Sequence, residues 1–186
     1  MSRSLPRSLT SVLAGLLLLA IATAAAAAFD GGAASHRFVS HTLTVKGAVA
    51  TPQVLQIGDL RGFPSQQIEE VAIICQSGAN VGTKEHLRGV LLTDILNRAE
   101  LQAANPRDLR KMVVIAKATD DYKAVFSWAE LFNSPLGAGV VVYFEKAGQP
   151  LDDAEGRIAL VSTQDARTGP RHVRWLTEIE VRQVAD

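Results

Sequence analysis

Apolar and polar residues alternate along several stretches of the chain, and each such stretch predicts a short β-strand. Between Thr42 and Val49, Leu43, Val45 and Val49 share one face of an extended backbone, while polar residues occupy the other face. This pattern is typical of a half-buried strand. Alternation also predicts a final strand at 178–184, and short, largely apolar segments between turns predict strands at residues 54–57, 112–118, 122–126, 139–144 and 158–161.

Other stretches have different patterns. Continuous apolar residues at 71–74 predict a central strand buried on both faces, followed by a polar loop over 76–84. Apolar residues at helical spacing predict an amphipathic helix at 90–99. Ser127 and Glu130 have capping-box spacing and predict the start of a short helix. Because strands outnumber helices, the predicted fold class is α+β and mostly β, with mixed sheets and a few short helices.

The N-terminal 28 residues are typical of a signal peptide. Arg3 and Arg7 precede the apolar segment 12–21, and a run of small residues ends at Ala28, after which we expect cleavage. The alternative is an uncleaved anchor, since residues 12–28 approach the roughly 20 residues that span a bilayer.

A signal peptide predicts a periplasmic or secreted protein in an oxidising compartment, with no stable membrane insertion after cleavage. Residues 29–40 are rich in Gly, Ala and Ser and predict a flexible lead-in. Residues 41–186 have the length of one domain.

The composition excludes several classes of function. The 19 basic and 19 acidic residues balance, so the chain lacks the basic surface that nucleic-acid binding requires. A single cysteine excludes an intramolecular disulfide framework and any site built from several thiolates. The four histidines show no paired ligand spacing, and the common hydrolase, P-loop and dinucleotide-binding motifs are missing.

Cys75 follows the apolar run directly and has two interpretations. It is a small buried core residue, which is the commonest fate of a free cysteine, or it is a reactive or metal-ligating thiol at the end of a strand. Position alone leaves both open.

The segment 167–175 is the second candidate site. Arg167, Arg171, His172 and Arg174 lie close together in sequence and predict a loop that binds a small-molecule or other anionic ligand, because arginine presents paired donors to an oxyanion. The alternative is a solvated turn with Trp175 as a core anchor. The adjacent carboxylates at 120–121 are interpreted as a turn rather than an acid–base pair.

Six short motifs follow one another along the predicted mature chain. They are LTVKGAVATP at 43–52 with IGDL at 57–60 and FP at 63–64, IICQSGAN at 73–80, LRGVLLTDIL at 87–96, DDY at 120–122, GQPL at 148–151 and VRWL at 173–176. Their order resembles the oxidoreductase molybdopterin-binding domain, which is the catalytic domain of sulfite oxidases and their bacterial relatives. The resemblance covers essentially the whole chain after the signal segment.

The resemblance implies a role for each candidate residue. Cys75 would ligate molybdenum and be catalytic. Asn80 and Tyr122 would supply hydrogen bonds, Tyr122 at the catalytic centre. The phosphate of the molybdopterin cofactor, or an oxyanionic substrate, would be held by Arg171, His172 and Arg174.

The implied activity is oxygen-atom or electron transfer on a small substrate, in a molybdopterin-dependent oxidoreductase that exchanges electrons with a redox partner protein. The alternative function is a cofactor-free binding or interaction module that retains the fold. Three single residues depart from the family pattern: Leu87 stands in place of a tryptophan, Asp121 in place of a glycine, and Ala159 in place of an arginine. In addition, the segment 156–161 lacks the family's proline, and the loop after Cys75 has an extra residue and lacks the following arginine.

Overall fold

Two β-sheets of five strands each form the framework of residues 36–184, the part of the chain that the structure, a computed structural model, describes. Each sheet contains four neighbouring strand pairs. In the first sheet, β1 (Thr42–Gly47) and β10 (Leu176–Gln183) come from opposite ends of the domain and run parallel. The remaining pairs of the first sheet are antiparallel, which makes it the mixed sheet. Across that sheet the strands are β2 (Gln53–Gln56), β1 (Thr42–Gly47), β10 (Leu176–Gln183), β5 (Met112–Ala118) and β6 (Lys123–Ser127).

The second sheet is antiparallel throughout its pairings. Its strands are β3 (Ser65–Ile74), β4 (Asn80–Leu91), β7 (Val140–Lys146), β8 (Gln149–Pro150) and β9 (Ala159–Ser162). Strand β7 has β4 on one side and both β8 and β9 on the other, so β3 is an edge strand.

Short helices connect the strands. They are α1 (Ile57–Leu60), α2 (Leu92–Ala99) and α3 (Trp128–Phe132), with 3-10 turns at Pro106–Lys111, Pro135–Gly139 and Gly169–Arg171. The capping box predicted for α3 is confirmed: Ser127 Oγ accepts from the Glu130 amide at 3.2 Å, and Glu130 Oε2 accepts from the Ser127 amide at 2.7 Å. The predicted fold class, α+β and mostly β, is confirmed.

The core is built as the alternating pattern predicts. Leu43 and Val45 of β1 are fully buried, as are Ile179 and, almost completely, Val181 of β10. The apolar face of α2 joins them in the larger core cluster. Trp175 also packs into this cluster, which confirms its interpretation as a core anchor.

Two predictions for the segment before and after Cys75 are wrong. Strand β3 lies at the sheet edge, and only Val71 and Ile73 of its apolar run are buried. Its open edge is partly satisfied by Thr168, whose hydroxyl donates to the Ala72 carbonyl at 2.6 Å and accepts from the Ile74 amide at 2.8 Å. The predicted loop 76–84 is a short turn, after which β4 begins at Asn80.

The predicted signal peptide lies outside the described residues, as does most of the predicted lead-in. The last residues of that lead-in contact the domain: the Phe38 ring lies 5.4 Å from the Trp175 ring, and the Thr119 hydroxyl donates to the Phe38 carbonyl. Within residues 36–184, no helix is long and apolar enough to cross a membrane.

Candidate functional site

Cys75 lies in the turn that joins β3 to β4. The Gly78 amide donates to the Cys75 carbonyl at 2.9 Å, and the Cys75 amide donates to the Ala79 carbonyl at the same distance. The turn needs a positive φ at Gly78, which is +95°. The side chain of Cys75 is partly exposed, so its interpretation as a buried core residue is wrong.

The thiol has a hydrogen-bond partner in its own turn. Cys75 Sγ and Ser77 Oγ are 2.9 Å apart. Hydrogen bonds from the Ser77 hydroxyl and amide lower the pKa of the Cys75 thiol, because they stabilise the thiolate. A thiolate is the form that binds metals and reacts as a nucleophile.

The segment 163–171 packs directly against this turn. A Cβ atom on Gly169 would lie 2.9 Å from the Ile74 carbonyl oxygen and 3.2 Å from Cys75 Cα, so only glycine fits there without a shift. A Cβ on Gly78 would lie 3.2 Å from the Arg167 guanidinium, which places this cation beside the cysteine turn. The fold therefore joins the two candidate sites that the sequence indicates.

A cavity of about 180 Å³ opens next to this contact. Asp120, Tyr122, Gly169, His172 and Arg174 line it. The structure thus brings three of the predicted residues, Tyr122, His172 and Arg174, to one place, and Gly169 connects them to Cys75.

A second cavity, of about 250 Å³, shares His172 and Arg174 with the first. Its other walls come from the end of β3 and the start of β4, and include the Lys84 side chain. The two cavities together form a cationic depression beside the Cys75 turn, and Arg174 is common to both.

His172 contacts Tyr143 and Glu155, which are linked to each other and, through Glu155, to Lys84, and we call these four residues the buried network. The Nε2 atom of His172 lies 2.7 Å from the Tyr143 hydroxyl and 3.5 Å from Glu155 Oε2. The Tyr143 hydroxyl donates to Glu155 Oε2, and the Lys84 ammonium pairs with Glu155 Oε1. Burial, together with the charges of Lys84 and Arg174, lowers the pKa of His172 to about 4. The imidazole is therefore neutral at pH 7.

Arg171 does not line either cavity. Its guanidinium donates to Asp165 Oδ2 at 2.6 Å and to Glu130 Oε1 at 3.1 Å, and lies 4.6 Å from the centre of the Phe126 ring. These contacts tie the loop to α3. The predicted role of Arg171 in holding a phosphate stays a prediction, but its cationic head already has two carboxylate partners.

Asn80 also lies apart from the cavities. Its Oδ1 accepts from the Gly82 amide at 2.9 Å, and the side chain is exposed at the start of β4. The predicted hydrogen-bonding role of Asn80 toward a cofactor likewise stays a prediction.

The three single-residue departures from the family pattern have structural counterparts. Asp121 has a φ of +70°, the left-handed conformation that glycine adopts most easily and aspartate tolerates. Ala159 is fully buried in β9, and Leu87 is almost fully buried in β4. The last two positions therefore add apolar packing to the second sheet instead of polar contacts to a ligand.

Sequence reasoning missed four residues that surround the site. Tyr143 belongs to an apolar strand, Glu155 to an irregular loop, Lys84 to the predicted polar loop, and Thr168 to the arginine-containing segment. No spacing connects them in the sequence, because each comes from a different element. A buried tyrosine in a strand, which needs a partner for its hydroxyl, is the one signal that was available.

An accessible thiol beside a cationic cavity, on a mostly β scaffold, defines a domain that can bind a cofactor carrying both a thiophilic metal and an anionic group. The chain belongs to the oxidoreductase molybdopterin binding domain family, whose model matches residues 31–185. This match confirms the resemblance that the six motifs indicate. The cofactor of this family is molybdopterin.

One solved structure with this fold is the sulfane dehydrogenase SoxCD from Paracoccus pantotrophus, with a TM-score of 0.58 and 17% sequence identity. The match covers 82% of this chain and 40% of that chain, so the present chain corresponds to less than half of its structural neighbour. No curated protein sequence matches the chain.

The residues around the cavities fit the family's cofactor in two respects. A thiolate is a soft ligand suited to a transition metal, and the pKa of the Cys75 thiol is lowered in the direction that metal binding requires. Arg174 supplies positive charge to the shared depression, where a phosphate could bind, and Lys84, which is paired with Glu155, also lines it. Among the described residues, no group of three or more His, Cys, Asp or Glu side chains could hold a metal by itself. Cys75 would therefore be a single protein ligand.

Proposed function

We propose that this chain is an exported oxidoreductase domain that binds molybdopterin and catalyses oxygen-atom or electron transfer on a small substrate. The observation that supports it is the partly exposed thiol of Cys75, held in a tight turn beside a cavity lined by Tyr122, His172 and Arg174. A structural cysteine would be sealed in the core, where its thiol would be inert.

Different residues of the chain would bind different parts of the cofactor. Cys75 would provide the ligand to molybdenum, and Arg174 would bind the cofactor's phosphate or an oxyanionic substrate as a paired donor. Tyr122 donates to the Pro170 carbonyl at 2.8 Å, which fixes its hydroxyl at the rim of the first cavity. When bound, the cofactor would supply a metal centre that cycles two electrons.

Metal analysis of the protein from its native compartment tests this proposal. We expect near-stoichiometric molybdenum in the wild type and its loss in Cys75→Ser, because serine does not provide a thiolate. Ser77→Ala is the matched control: it removes the hydrogen bond to the sulfur but keeps the ligand, so the metal should remain. Molybdenum that is absent from the wild type, or that survives in Cys75→Ser, would contradict the proposal.

Export is tested separately on the same preparation. Cell fractionation should place the protein in the periplasm or the medium, and mass spectrometry should find Phe29 as the first residue. A chain that retains residues 1–28 in the membrane fraction would support the uncleaved anchor instead.

A second function, a cofactor-free binding module, is favoured by particular contacts. Arg171 is already paired with Asp165 and Glu130, and Ala159 stands where the family has arginine. Under this alternative the wild type contains no molybdenum after purification from cells that synthesise the cofactor, and the cationic depression still binds an anion.

A further inference from the structure

The buried network places a histidine in an unusual setting, at the shared wall of both cavities. Tyr143 is fully buried, Glu155 is 6% exposed, and the His172 side chain is 10% exposed. The four members come from β4, β7, the loop 151–158 and the segment after the 3-10 turn Gly169–Arg171. Such a fully connected polar cluster is costly to bury unless each member has a partner.

The proton positions in this network follow from its partners. Lys84 pairs with one oxygen of Glu155, so the carboxylate is ionised and can only accept hydrogen bonds. The Tyr143 hydroxyl has one proton, and it is donated to the other Glu155 oxygen. The short contact between the Tyr143 hydroxyl and His172 Nε2 then needs its proton from the imidazole, so Nε2 carries the hydrogen.

The second imidazole nitrogen is left with its lone pair. Burial and the nearby cations keep His172 neutral, so Nδ1 is an acceptor at pH 7. Within residues 36–184, Nδ1 makes no hydrogen bond with the protein, while the ring lines both cavities. The site therefore offers an unused acceptor next to the Arg174 cation.

We propose that Tyr143, Glu155 and Lys84 are positioning residues that fix His172 as its Nε2–H tautomer, so that Nδ1 accepts a hydrogen bond from an oxyanion that still carries a proton. The inference rests on the proposed function in one respect, since it places an anionic ligand in these cavities.

The other groups that face His172 agree with such a ligand. Arg174, on the same segment, attracts negative charge. Asp120 also lines the first cavity and is a second acceptor, whose Oδ1 already accepts from the Tyr122 amide at 3.1 Å. An oxyanion without a proton could not donate a hydrogen bond to Nδ1 of His172 or to the other oxygen of Asp120. A site that is built to accept from a hydroxyl group discriminates strongly against a ligand that lacks it.

Phosphate and sulfate are two inorganic probes that differ in whether the oxyanion carries a proton. Phosphate carries at least one proton at pH 7, whereas sulfate carries none. We expect the mature chain, produced without molybdopterin, to bind phosphate about tenfold or more tightly than sulfate in calorimetry at constant ionic strength. His172→Gln should bring the two affinities close together, because the glutamine amide imitates Nε2 but has no acceptor at the Nδ1 position.

Nitrogen NMR of the ring tests the tautomer directly in the wild type, and His172→Gln assigns the signal among the four histidines. We expect Nε2–H with a bare Nδ1 at pH 7, and no titration of the ring between pH 8 and pH 5. Tyr143→Phe should raise the pKa of His172, because Nε2 would then have Glu155 as its direct partner, and should reduce the preference for phosphate. Tyr122→Phe is the matched control. Its hydroxyl donates to the Pro170 carbonyl and not to a member of the buried network, so its loss should leave the tautomer unchanged.

The outcomes separate this inference from the proposed function. A hydrogen on Nδ1, titration near pH 6.5, or equal binding of sulfate and phosphate would overturn the inference, even in a protein that contains molybdenum. A protein without molybdenum that shows the Nε2–H tautomer and prefers phosphate would support the inference and contradict the redox proposal.

Discussion

Two clusters of opposite charges, one on each sheet, use similar side chains in different ways. The first, which we call the surface ladder, lies on the first sheet and consists of Lys46, Glu178, Lys117, Glu180 and Arg182. Each of its acids has two cations: Lys46 and Lys117 lie 2.7 Å from the oxygens of Glu178, and Lys117 and Arg182 pair with Glu180. The buried network has one acid and one cation, and its remaining members are neutral.

The comparison shows that the effect of removing a charged residue depends on whether its partners have a second partner. Removing one member of the surface ladder leaves every opposite charge with another partner or with solvent, so the ladder stabilises the sheet without depending on any one residue. Removing Glu155 from the buried network leaves Lys84 without its carboxylate and Tyr143 without its acceptor. The neutral histidine beside the cavities, His172, belongs to the second arrangement.

The largest effect should come from Glu155→Gln. We expect the free energy of unfolding to fall by about 3 kcal/mol, because the mutation leaves the Lys84 ammonium partly buried and unpaired. The matched change in the surface ladder, Glu180→Gln, should cost less than about 1 kcal/mol. Urea unfolding of both variants measures the difference, and equal losses would show that burial does not distinguish the two clusters.

The two clusters should also respond to pH in different ranges. The pKa of His172 is about 4 in the folded protein and about 6.5 when unfolded, so the unfolded chain binds the proton more readily. Stability should therefore fall as the pH drops from 6.5 to 4, by about 3 kcal/mol in total.

Glu180 responds at lower pH. Hydrogen bonds from Arg182 and Lys117 lower its pKa from 4.5 to about 2, so its contribution is present above pH 4.5 and is lost as the pH falls toward 2. His172→Gln should flatten the stability profile between pH 6.5 and 4.5 and leave the lower range unchanged. A profile that keeps its slope above pH 4.5 in this variant would show that His172 is not held neutral.

A smaller effect is expected where the loop that carries His172 meets the edge strand. Gly169→Ala should lower the free energy of unfolding by about 2 kcal/mol, because the added carbon would lie too close to the Ile74 carbonyl. Gly58→Ala is the control: a Cβ there meets nothing within 4 Å, and alanine in a helix should stabilise by about 0.5 kcal/mol. If both variants behave alike in thermal unfolding, the close approach at Gly169 does not set the position of the loop.

The smallest effect is expected for Lys46→Ala in the surface ladder. Lys46 is half-exposed, and Glu178 keeps Lys117 as its partner, so stability should change by less than about 0.5 kcal/mol. A loss above 1 kcal/mol in urea unfolding would mean that the ladder acts as a cooperative unit.

Local patterns predicted most of the framework. The alternation around Leu43 and Val45, the helical spacing in α2 and the capping box at Ser127 each depend on neighbours within a few positions, and the structure confirms them. The prediction that residues 71–74 form a central strand buried on both faces is wrong, because a continuous apolar run does not show whether a strand has a neighbour on each side. Thr168, nearly a hundred positions away, covers part of that edge instead.

The candidate site was predictable only in part, because its geometry also depends on contacts between residues that are distant in the sequence. Cys75, Tyr122, His172 and Arg174 could be chosen from their motifs, and the fold brings them to one depression. The motifs could not distinguish Arg174, which lines the cavities, from Arg171, which pairs with Asp165 and Glu130.

By itself the sequence determined the elements, their buried faces, the family and the residues able to carry its chemistry, because these follow from short-range periodicity and from motifs in order. The tertiary structure alone decided which charges are redundant and which are unique. It also decided that His172 is buried against Tyr143 and Glu155 and that the Cys75 side chain is partly exposed. Those properties depend on burial and on partners from distant segments, and both arise only when the two sheets pack together.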